Sequence, residues 1–249
     1  MKRFLIILAI SGLFVACNPI DDCNKDNDQV EQPDNSGDSA NSGGVDTSNG
    51  GNTGEQGSSD STITPEPTPN PVIYRVGDYY VDDEKEGVVF WIDSTGEHGK
   101  IISLTESVDE LQWSSNEVEQ KTYIGADDRG DGANNMAIVK NIPDWQNKYP
   151  AFKWCFDLGA AWYLPAIDEV VMFTLNDSVH NAVNQTLEVR GSSRLADEGD
   201  FIYSYLSSTE YDYQDSNGYF SMWGVNMSYS GTYSAKKVYD AYVRAVAAF

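Results

Sequence analysis

The feature that most constrains this 249-residue chain is a sharp change of composition near residue 72. Residues 17–71 consist mostly of Asn, Asp, Ser, Gly, Thr, Pro and Gln, and they include no aromatic residue. Such a segment cannot bury enough apolar surface to offset the entropy that is lost on ordering. We therefore predict a disordered acidic tether over 17–71 and a single globular domain over 72–249, which is a normal domain size.

The N-terminus has the layout of a secretory signal. Lys2 and Arg3 precede an apolar stretch that ends at Ala16 and is shorter than the roughly 20 residues needed to span a bilayer. The letters "LFVAC" resemble a bacterial lipobox, in which the cysteine receives the lipid. We predict a signal peptide over 1–16 and lipid attachment at Cys17, which would hold the exported protein at the outer membrane or cell surface. Cleavage near Ala16 without lipid is the alternative.

The net charge and the cysteine content argue against two classes of protein, those that bind nucleic acid and those held together by disulfides. The formal net charge of −23 at pH 7 disfavours nucleic acid as a partner, because phosphate binding depends on Lys and Arg. A disulfide framework is not expected either, since Cys17 and Cys23 belong to the tether and Cys155 stands alone in the domain. Cys155 lies between two aromatic residues, so we interpret it as a buried apolar side chain.

The first half of the domain predicts a hairpin followed by helices. "GVVFWI" (87–92) and "KIISL" (100–104) are rich in β-formers and are separated by a turn-rich segment. "ANNMAIVKNI" (133–142) and "AFKWCFDLG" (151–159) are typical of short helices.

The segment "WYLPAIDEVVMF" contains two adjacent acids, Asp168 and Glu169. Pro165 suits the first turn of a helix, and acidic side chains there complement the helix dipole. A catalytic carboxylate pair is the alternative, but adjacent helical positions point about 100° apart and do not converge on one atom. We interpret the segment as the start of a helix.

The last third of the chain predicts strands. We expect the final strand to pair beside the first one, with Arg244 on the face opposite Val243, Ala245 and Ala247. The order of elements indicates an α+β fold with a mainly antiparallel sheet and two or three helices. The predicted strands are "IYSYLSSTEY", "YFSMWGVNM" and "AYVRAVAAF".

Several ordered motifs together resemble a known family. They are "GVVFWIDSTGEHGKIISL", "YPAFKWC", "GAAWYLPAIDEV", "YLSSTEY" and "VRAVAAF". This series is similar to the Legionella collagen-like (Lcl) C-terminal domain family of exported bacterial lipoproteins, and it spans essentially all of 73–249. The resemblance implies a C-type-lectin-like fold. The chain departs from the pattern at Leu206, where the family often has Trp, and at Ala247, where a second Arg is common.

The same fold is found in enzymes that generate formylglycine in sulfatases, but their chemistry makes demands that this sequence does not meet. Copper in those enzymes needs two late cysteines, whereas Ala245 stands where the strand cysteine would be. Related iron enzymes need three histidines, and this chain has only His98 and His180. We therefore expect a protein that is not an enzyme.

One loop is a candidate calcium site, which would be the only cofactor. The segment "GADDRGDGANN" offers oxygen ligands in a flexible loop, a chemistry that suits calcium. An acidic turn that caps the following helix is the alternative, and we favour it. The candidate ligands are Asp127, Asp128, Asp131 and Asn134.

The segment from residue 211 to residue 233 mixes aromatic rings with amides and carboxylates. Sugar and peptide recognition both use this combination, and lectin-like folds place binding loops between their late strands. We therefore predict a ligand-binding surface here, although alternation alone does not tell which strand face is buried. The candidate residues are Tyr211, Tyr213, Tyr219, Trp223, Asn226 and Tyr229.

Together these observations predict a cell-surface lipoprotein that presents a non-catalytic C-type-lectin-like module for binding or adhesion. Family analogy favours glycans or glycoconjugates as ligands, and the membrane is reached through the N-terminal lipid. The alternative is a structural envelope component that docks onto other surface proteins. The ligand itself cannot be read from a fold.

Overall fold

The structure is a computed structural model that describes residues 71–200 and 203–249. The predicted signal peptide, the lipid site at Cys17 and the tether up to residue 70 lie outside the described residues. Within the described ranges, no helix has the length and apolar character that a membrane crossing requires.

The described residues form an α+β domain of nine strands and six helices. The elements in chain order are β1 (Tyr79–Val81), β2 (Glu86–Ile92), β3 (Gly99–Glu106), β4 (Leu111–Gln112), α1 (Glu117–Gln120), α2 (Gly132–Lys140), α3 (Trp145–Lys148), α4 (Pro150–Asp157), α5 (Ile167–Leu175), α6 (Asp177–Val189), β5 (Ser204–Gln214), β6 (Phe220–Asn226), β7 (Gly231–Lys236), β8 (Asp240–Ala241) and β9 (Arg244–Ala248).

The first sheet has the strand order β1-β2-β3-β9, and all its pairings are antiparallel. The predicted β2–β3 hairpin is confirmed. Its turn is closed by the Asp93 carboxylate, which accepts the N–H groups of Thr95 and Gly96, each at 2.9 Å. The final strand pairs with β3 rather than with β2, so the expected partner was wrong. The reason is that β1 and β3 already occupy both edges of β2.

Strand β9 is buried on both faces from Arg244 to Ala247. Arg244 is as buried as its neighbours because its guanidinium donates to the carbonyls of Ser103 at 3.1 Å, Leu104 at 3.0 Å and Ser193 at 2.7 Å. On the side away from β3, the backbone of Val246 exchanges hydrogen bonds with Tyr163 at 2.9 and 3.0 Å. The strand is therefore an interior element.

The second sheet has the order β5-β6-β7, again antiparallel, and β4 and β8 form a separate two-stranded sheet. Helix α5 contacts both larger sheets. The Phe173 ring packs edge-on against Phe90 of β2 at 5.4 Å, and the Ile167 N–H donates to the Thr209 hydroxyl of β5 at 2.9 Å. The predicted mainly antiparallel arrangement is thus confirmed.

The predicted number of helices, two or three, was too small. Two of the six, α1 and α3, are single turns of 4 residues, which are too short to show helical periodicity in a sequence. Helix α4 buries Cys155, whose thiol is free, as the sequence predicted. Burial raises the pKa of this thiol well above its usual value, so it stays protonated.

Candidate ligand-binding surface

The two adjacent acids at the start of α5 point in different directions. Glu169 is buried, and its carboxylate accepts the N–H groups of Ala166 at 2.7 Å and Gly132 at 3.2 Å and the Tyr163 hydroxyl at 3.0 Å. Its remaining partner is the Lys100 amine at 2.5 Å. Glu169 therefore does more than complement the helix dipole, because it ties α5 to α2 and β3.

Asp168 faces solvent and pairs instead with Arg129, at 3.2 Å. The carboxylates of Asp168 and Glu169 consequently do not converge on one point. Gly132, which donates to Glu169, has no room for a side chain, since a Cβ atom would lie 2.4 Å from the Leu164 carbonyl oxygen. The close approach of α2 to the start of α5 depends on this glycine.

The acidic loop before α2 is organised by its own backbone. Asp131 caps α2 by accepting the N–H groups of Ala133 at 3.0 Å and Asn134 at 3.3 Å. Asp128 accepts the N–H groups of Gly130 at 2.9 Å and Asp131 at 3.0 Å and the Asn134 amide at 3.1 Å. Hydrogen bonds from Gly130 and Asn134 lower the pKa of Asp128. These bonds support the favoured interpretation of the loop as a helix cap.

The candidate calcium ligands are thus engaged inside the loop. Asp127 accepts a hydrogen bond from the Tyr123 hydroxyl at 2.6 Å rather than pointing toward Asp128 and Asp131. In the part of the chain that the structure describes, no group of three or more His, Cys, Asp or Glu side chains is arranged to hold a metal ion. Calcium binding here stays a prediction.

Three of the six predicted ligand-binding residues come together on one face of the second sheet. The rings of Tyr211 and Tyr213 stack with their centres 6.0 Å apart, and Tyr211 lies 4.7 Å from Trp223 of β6. Tyr213 is 55% exposed, whereas Tyr211 and Trp223 are partly buried. Ser234 of β7 lies opposite Trp223 and is exposed, so a hydroxyl borders the rings.

Arg129 extends this group of rings toward the start of α5. Its guanidinium lies 5.4 Å from the centre of the Trp223 ring and also pairs with Asp168. We call Tyr211, Tyr213, Trp223 and Arg129 the aromatic strip. Sequence reasoning missed Arg129, because it belongs to the acidic loop that was considered only for its carboxylates.

A pocket of about 310 Å³ lies directly beyond Asp168. We call it the Trp91 pocket, after the indole that is 39% exposed on β2. The Lys100 amine lies 5.9 Å from the centre of the Trp91 ring. The side chains that line the pocket are Phe90, Trp91, Lys100, Asp168, Glu169 and Met172.

The Trp91 pocket was also missed, and the sequence held little signal for it. The run "GVVFWI" is apolar throughout, so alternation does not show which side chain faces outward. In the structure the β2–β3 register shifts between Val89 and Trp91, and exposure rises from 1% at Phe90 to 39% at Trp91. A bulge of this kind redirects side chains locally.

The other three predicted ligand-binding residues have separate surroundings. Tyr219 lies between the amines of Lys121 and Lys236, at 4.7 and 5.0 Å from its ring centre. Asn226 holds the β6–β7 turn, since its side chain accepts the Ser228 N–H at 2.9 Å. Tyr229 is exposed within that turn. Among the described residues, none of these three packs against a ring of the aromatic strip.

The four polar residues of the segment "SSTE", which directly precede Tyr211, are buried. The Glu210 carboxylate accepts the N–H groups of Ile124 at 2.9 Å and Gly125 at 2.8 Å and forms an ion pair with Lys237. The Lys237 amine also donates to the Thr122 carbonyl at 2.6 Å. Burial raises the pKa of Glu210 and lowers that of Lys237, while each partner's charge opposes the shift. The Glu210–Lys237 pair therefore fixes strand β5 directly before Tyr211, the first residue of β5 in the aromatic strip.

No known protein-family model matches the chain, and no curated protein matches it. The resemblance to the Lcl C-terminal domain family therefore rests on the ordered motifs alone.

Proposed function

We propose that this protein is an exported lipoprotein that presents a non-catalytic, C-type-lectin-like module for binding glycans or glycoconjugates. The observation that carries the proposal is the aromatic strip and its continuation, through the Arg129–Asp168 pair, into the Trp91 pocket. The surface offers flat apolar faces beside a guanidinium, a carboxylate and an amine.

This combination suits a carbohydrate. A sugar ring has an apolar C–H face that packs on an aromatic ring, and its hydroxyls both donate and accept hydrogen bonds. Small-molecule sites in general combine mostly apolar walls with a few polar groups that fix orientation. The strip supplies the first property, and the Arg129–Asp168 pair supplies the second.

The C-type-lectin-like fold is part of the proposal. It is supported by the antiparallel sheets, by the late strand β9 returning to the first sheet, and by the ordered family motifs. The placement of the strip on late strands agrees with the use of this region for binding in lectin-like folds.

A binding role without catalysis is supported by the state of the reactive groups. Glu169 is held by three hydrogen bonds and an ion pair, and Asp168 points away from it. The Cys155 thiol is buried in the core with a raised pKa. His180 is buried too, with its ring nitrogen 3.0 Å from the Ala196 carbonyl oxygen. Of these groups only Asp168 is exposed, and it is paired with Arg129.

The binding proposal is tested on a glycan array with the purified protein, with and without calcium. We expect specific binding that Trp223→Ala and Tyr213→Ala each weaken by about tenfold, the effect of losing one stacked ring. Tyr239→Ala is the matched control, because Tyr239 is 45% exposed and lies outside the strip. Binding that survives both strip variants would contradict the assignment.

Anchoring is tested separately by mass spectrometry of the membrane-extracted protein. We expect a diacylglycerol-modified N-terminal Cys17 and its loss in Cys17→Ser. A mature N-terminus that begins after Ala16 without added lipid mass would leave the binding module but remove the anchor.

A structural role in the envelope is the second candidate, and one observation favours it. Strand β7 pairs with β6 alone among the strands that the structure describes, and Val238 and Tyr239, 38% and 45% exposed, follow it closely. A free strand edge beside apolar side chains is a known docking mode. Two results together would favour this role. The protein would bind no glycan on the array, and envelope proteins would co-purify with the wild type but not with Tyr239→Ala.

A further inference from the structure

We propose that the ligand is a neutral glycan and that one of its sugar residues binds in the Trp91 pocket. This inference rests on the proposed function and names the ligand class for the same surface. It is carried by the size of the pocket, by its apolar wall and by the way its charges are already paired.

The pocket has the size and wall of a small-molecule site. Its volume of about 310 Å³ is at the lower end of the usual range of ~300–1,000 Å³. The exposed indole of Trp91 forms a flat wall, and Phe90 and Met172 extend its apolar surface. The C–H face of a single sugar ring matches such a wall.

An anionic ligand is disfavoured because each cation at this surface already has a carboxylate partner. Lys100 pairs with Glu169 at 2.5 Å, and Arg129 pairs with Asp168 at 3.2 Å. A sulfate or carboxylate group would have to compete with a protein carboxylate at either position. Lys100 additionally contributes to the lowered pKa of Asp128, so a third carboxylate shares its field. The net charge of −23 adds long-range repulsion.

A cationic ligand is disfavoured because Lys100 already lies at the position that a cation would prefer. The favourable place for a cation is over the Trp91 ring, and the Lys100 amine already lies 5.9 Å from the centre of that ring. A ligand amine at the same ring would meet a like charge.

Hydroxyl groups avoid both conflicts. The Asp168 carboxylate accepts from a hydroxyl, and the Lys100 amine donates to one, without either ion pair being broken. A ligand that is apolar on one face and rich in hydroxyls at its edge therefore satisfies both the wall and the rim of the pocket.

The class is tested by calorimetry on the purified protein with three matched probe sets. These are neutral oligosaccharides, the same sugars carrying sulfate or carboxylate groups, and the same sugars carrying free amines. We expect the neutral set to bind best, with an affinity that changes by less than about twofold between roughly 0.05 and 0.5 M salt, because no net charge is being screened. Tighter binding of a charged set with steep salt dependence would overturn the neutral class while leaving the binding function in place.

The location is tested by Trp91→Ala, for which we expect about a tenfold loss of affinity for the best neutral probe. Trp91→Phe should recover part of the loss because it keeps a flat ring, and Tyr239→Ala should change nothing. Unchanged affinity in Trp91→Ala, with loss in Tyr213→Ala, would place the ligand on the strip but outside the pocket. Absence of binding to every probe set would remove the proposed function together with this inference.

Discussion

The two halves of strand β5 have opposite relations to solvent. From Ser204 to Glu210 every residue is buried, although most of these residues are polar, whereas Tyr213 and its neighbours Asp212 and Gln214 are exposed. In the first half, hydroxyls and a carboxylate join β5 to the acidic loop and to α5. In the second half, rings face outward. In this strand, buried polar side chains therefore belong to the framework, and the aromatic side chains of the second half form the surface proposed to bind a ligand.

The strongest test of this contrast is Lys237→Ala. The substitution leaves the Glu210 carboxylate buried without its ion partner, which should lower the free energy of unfolding by about 3–5 kcal/mol. Lys236→Ala is a matched control, because Lys236 is 45% exposed and its pair with Asp215 should contribute less than about 1 kcal/mol. The measurement is urea unfolding of both variants, and equal losses would contradict the contrast.

Thr209→Val tests the buried hydroxyls of the same half. The Thr209 hydroxyl accepts from the Ile167 N–H and donates to the Asp128 carbonyl, each at 2.9 Å. An isosteric valine leaves both backbone groups unpaired, so we expect a loss of roughly 1–3 kcal/mol in the same unfolding assay. Thr232→Val on exposed β7 should stay within about 0.5 kcal/mol. If Thr209→Val also lost no more than about 0.5 kcal/mol, water would be replacing the hydroxyl as the hydrogen-bond partner of the two backbone groups.

Asp131→Ala tests the acidic loop, whose Asp128 carbonyl accepts the hydrogen bond from Thr209. Loss of the cap of α2 should lower stability by about 1 kcal/mol, by the same amount with and without calcium. Thermal unfolding at both calcium levels measures this. A melting temperature that rises with calcium in the wild type, and not in the variant, would instead establish the predicted calcium site.

The pH dependence of stability tests the far end of the buried half, where the Tyr205 hydroxyl donates to Glu106 at 2.9 Å. Burial raises the pKa of Glu106 above its usual 4.5, against the opposing effect of Arg244. The folded protein thus holds this proton more tightly, and the contribution of Glu106 is fully present below pH 4.5 and is lost as the pH rises through the folded pKa. The stability of the wild type relative to Glu106→Gln should therefore be greater at low pH. The reverse trend in unfolding titrations would contradict the raised pKa.

Tyr213→Ala should have the smallest effect on stability, within about 0.5 kcal/mol, because its ring is 55% exposed. Its effect on glycan affinity should nonetheless be large. The two assays on one variant separate the halves of β5 directly, since a framework residue changes stability and a surface residue changes binding. A destabilised Tyr213→Ala would show that the ring belongs to the core.

Sequence reasoning predicted the elements whose signals are local. The β2–β3 hairpin, the helix start after Pro165 and the burial of Cys155 all follow from short patterns. The single-turn helices did not, because 4 residues are too few to show helical periodicity. Strand β7 did not either, because its sequence "GTYSAK" consists mostly of small and polar residues. The partner of β9 could not be predicted without β1, which occupies the free edge of β2 and is only 3 residues long.

The candidate site was predicted only in part for a related reason. Tyr211, Tyr213 and Trp223 are close in the chain, but Arg129 reaches Trp223 from a distant segment. The Trp91 pocket joins this group only through Asp168, the partner of Arg129. The Glu210–Lys237 pair is equally hard to predict from the sequence, because the polar "SSTE" of the predicted strand gives no sign of burial. Contacts between separated segments are set by topology, which local patterns do not encode.

The position of β9 has a consequence for biosynthesis. Its partner β3 ends at residue 106, whereas β9 begins at residue 244, so the first sheet lacks a strand until almost the whole domain has been made. Pairings between such distant segments form slowly, because the intervening chain must first be brought together. Until β9 has been made, the edge of β3 that it covers therefore stays unpaired.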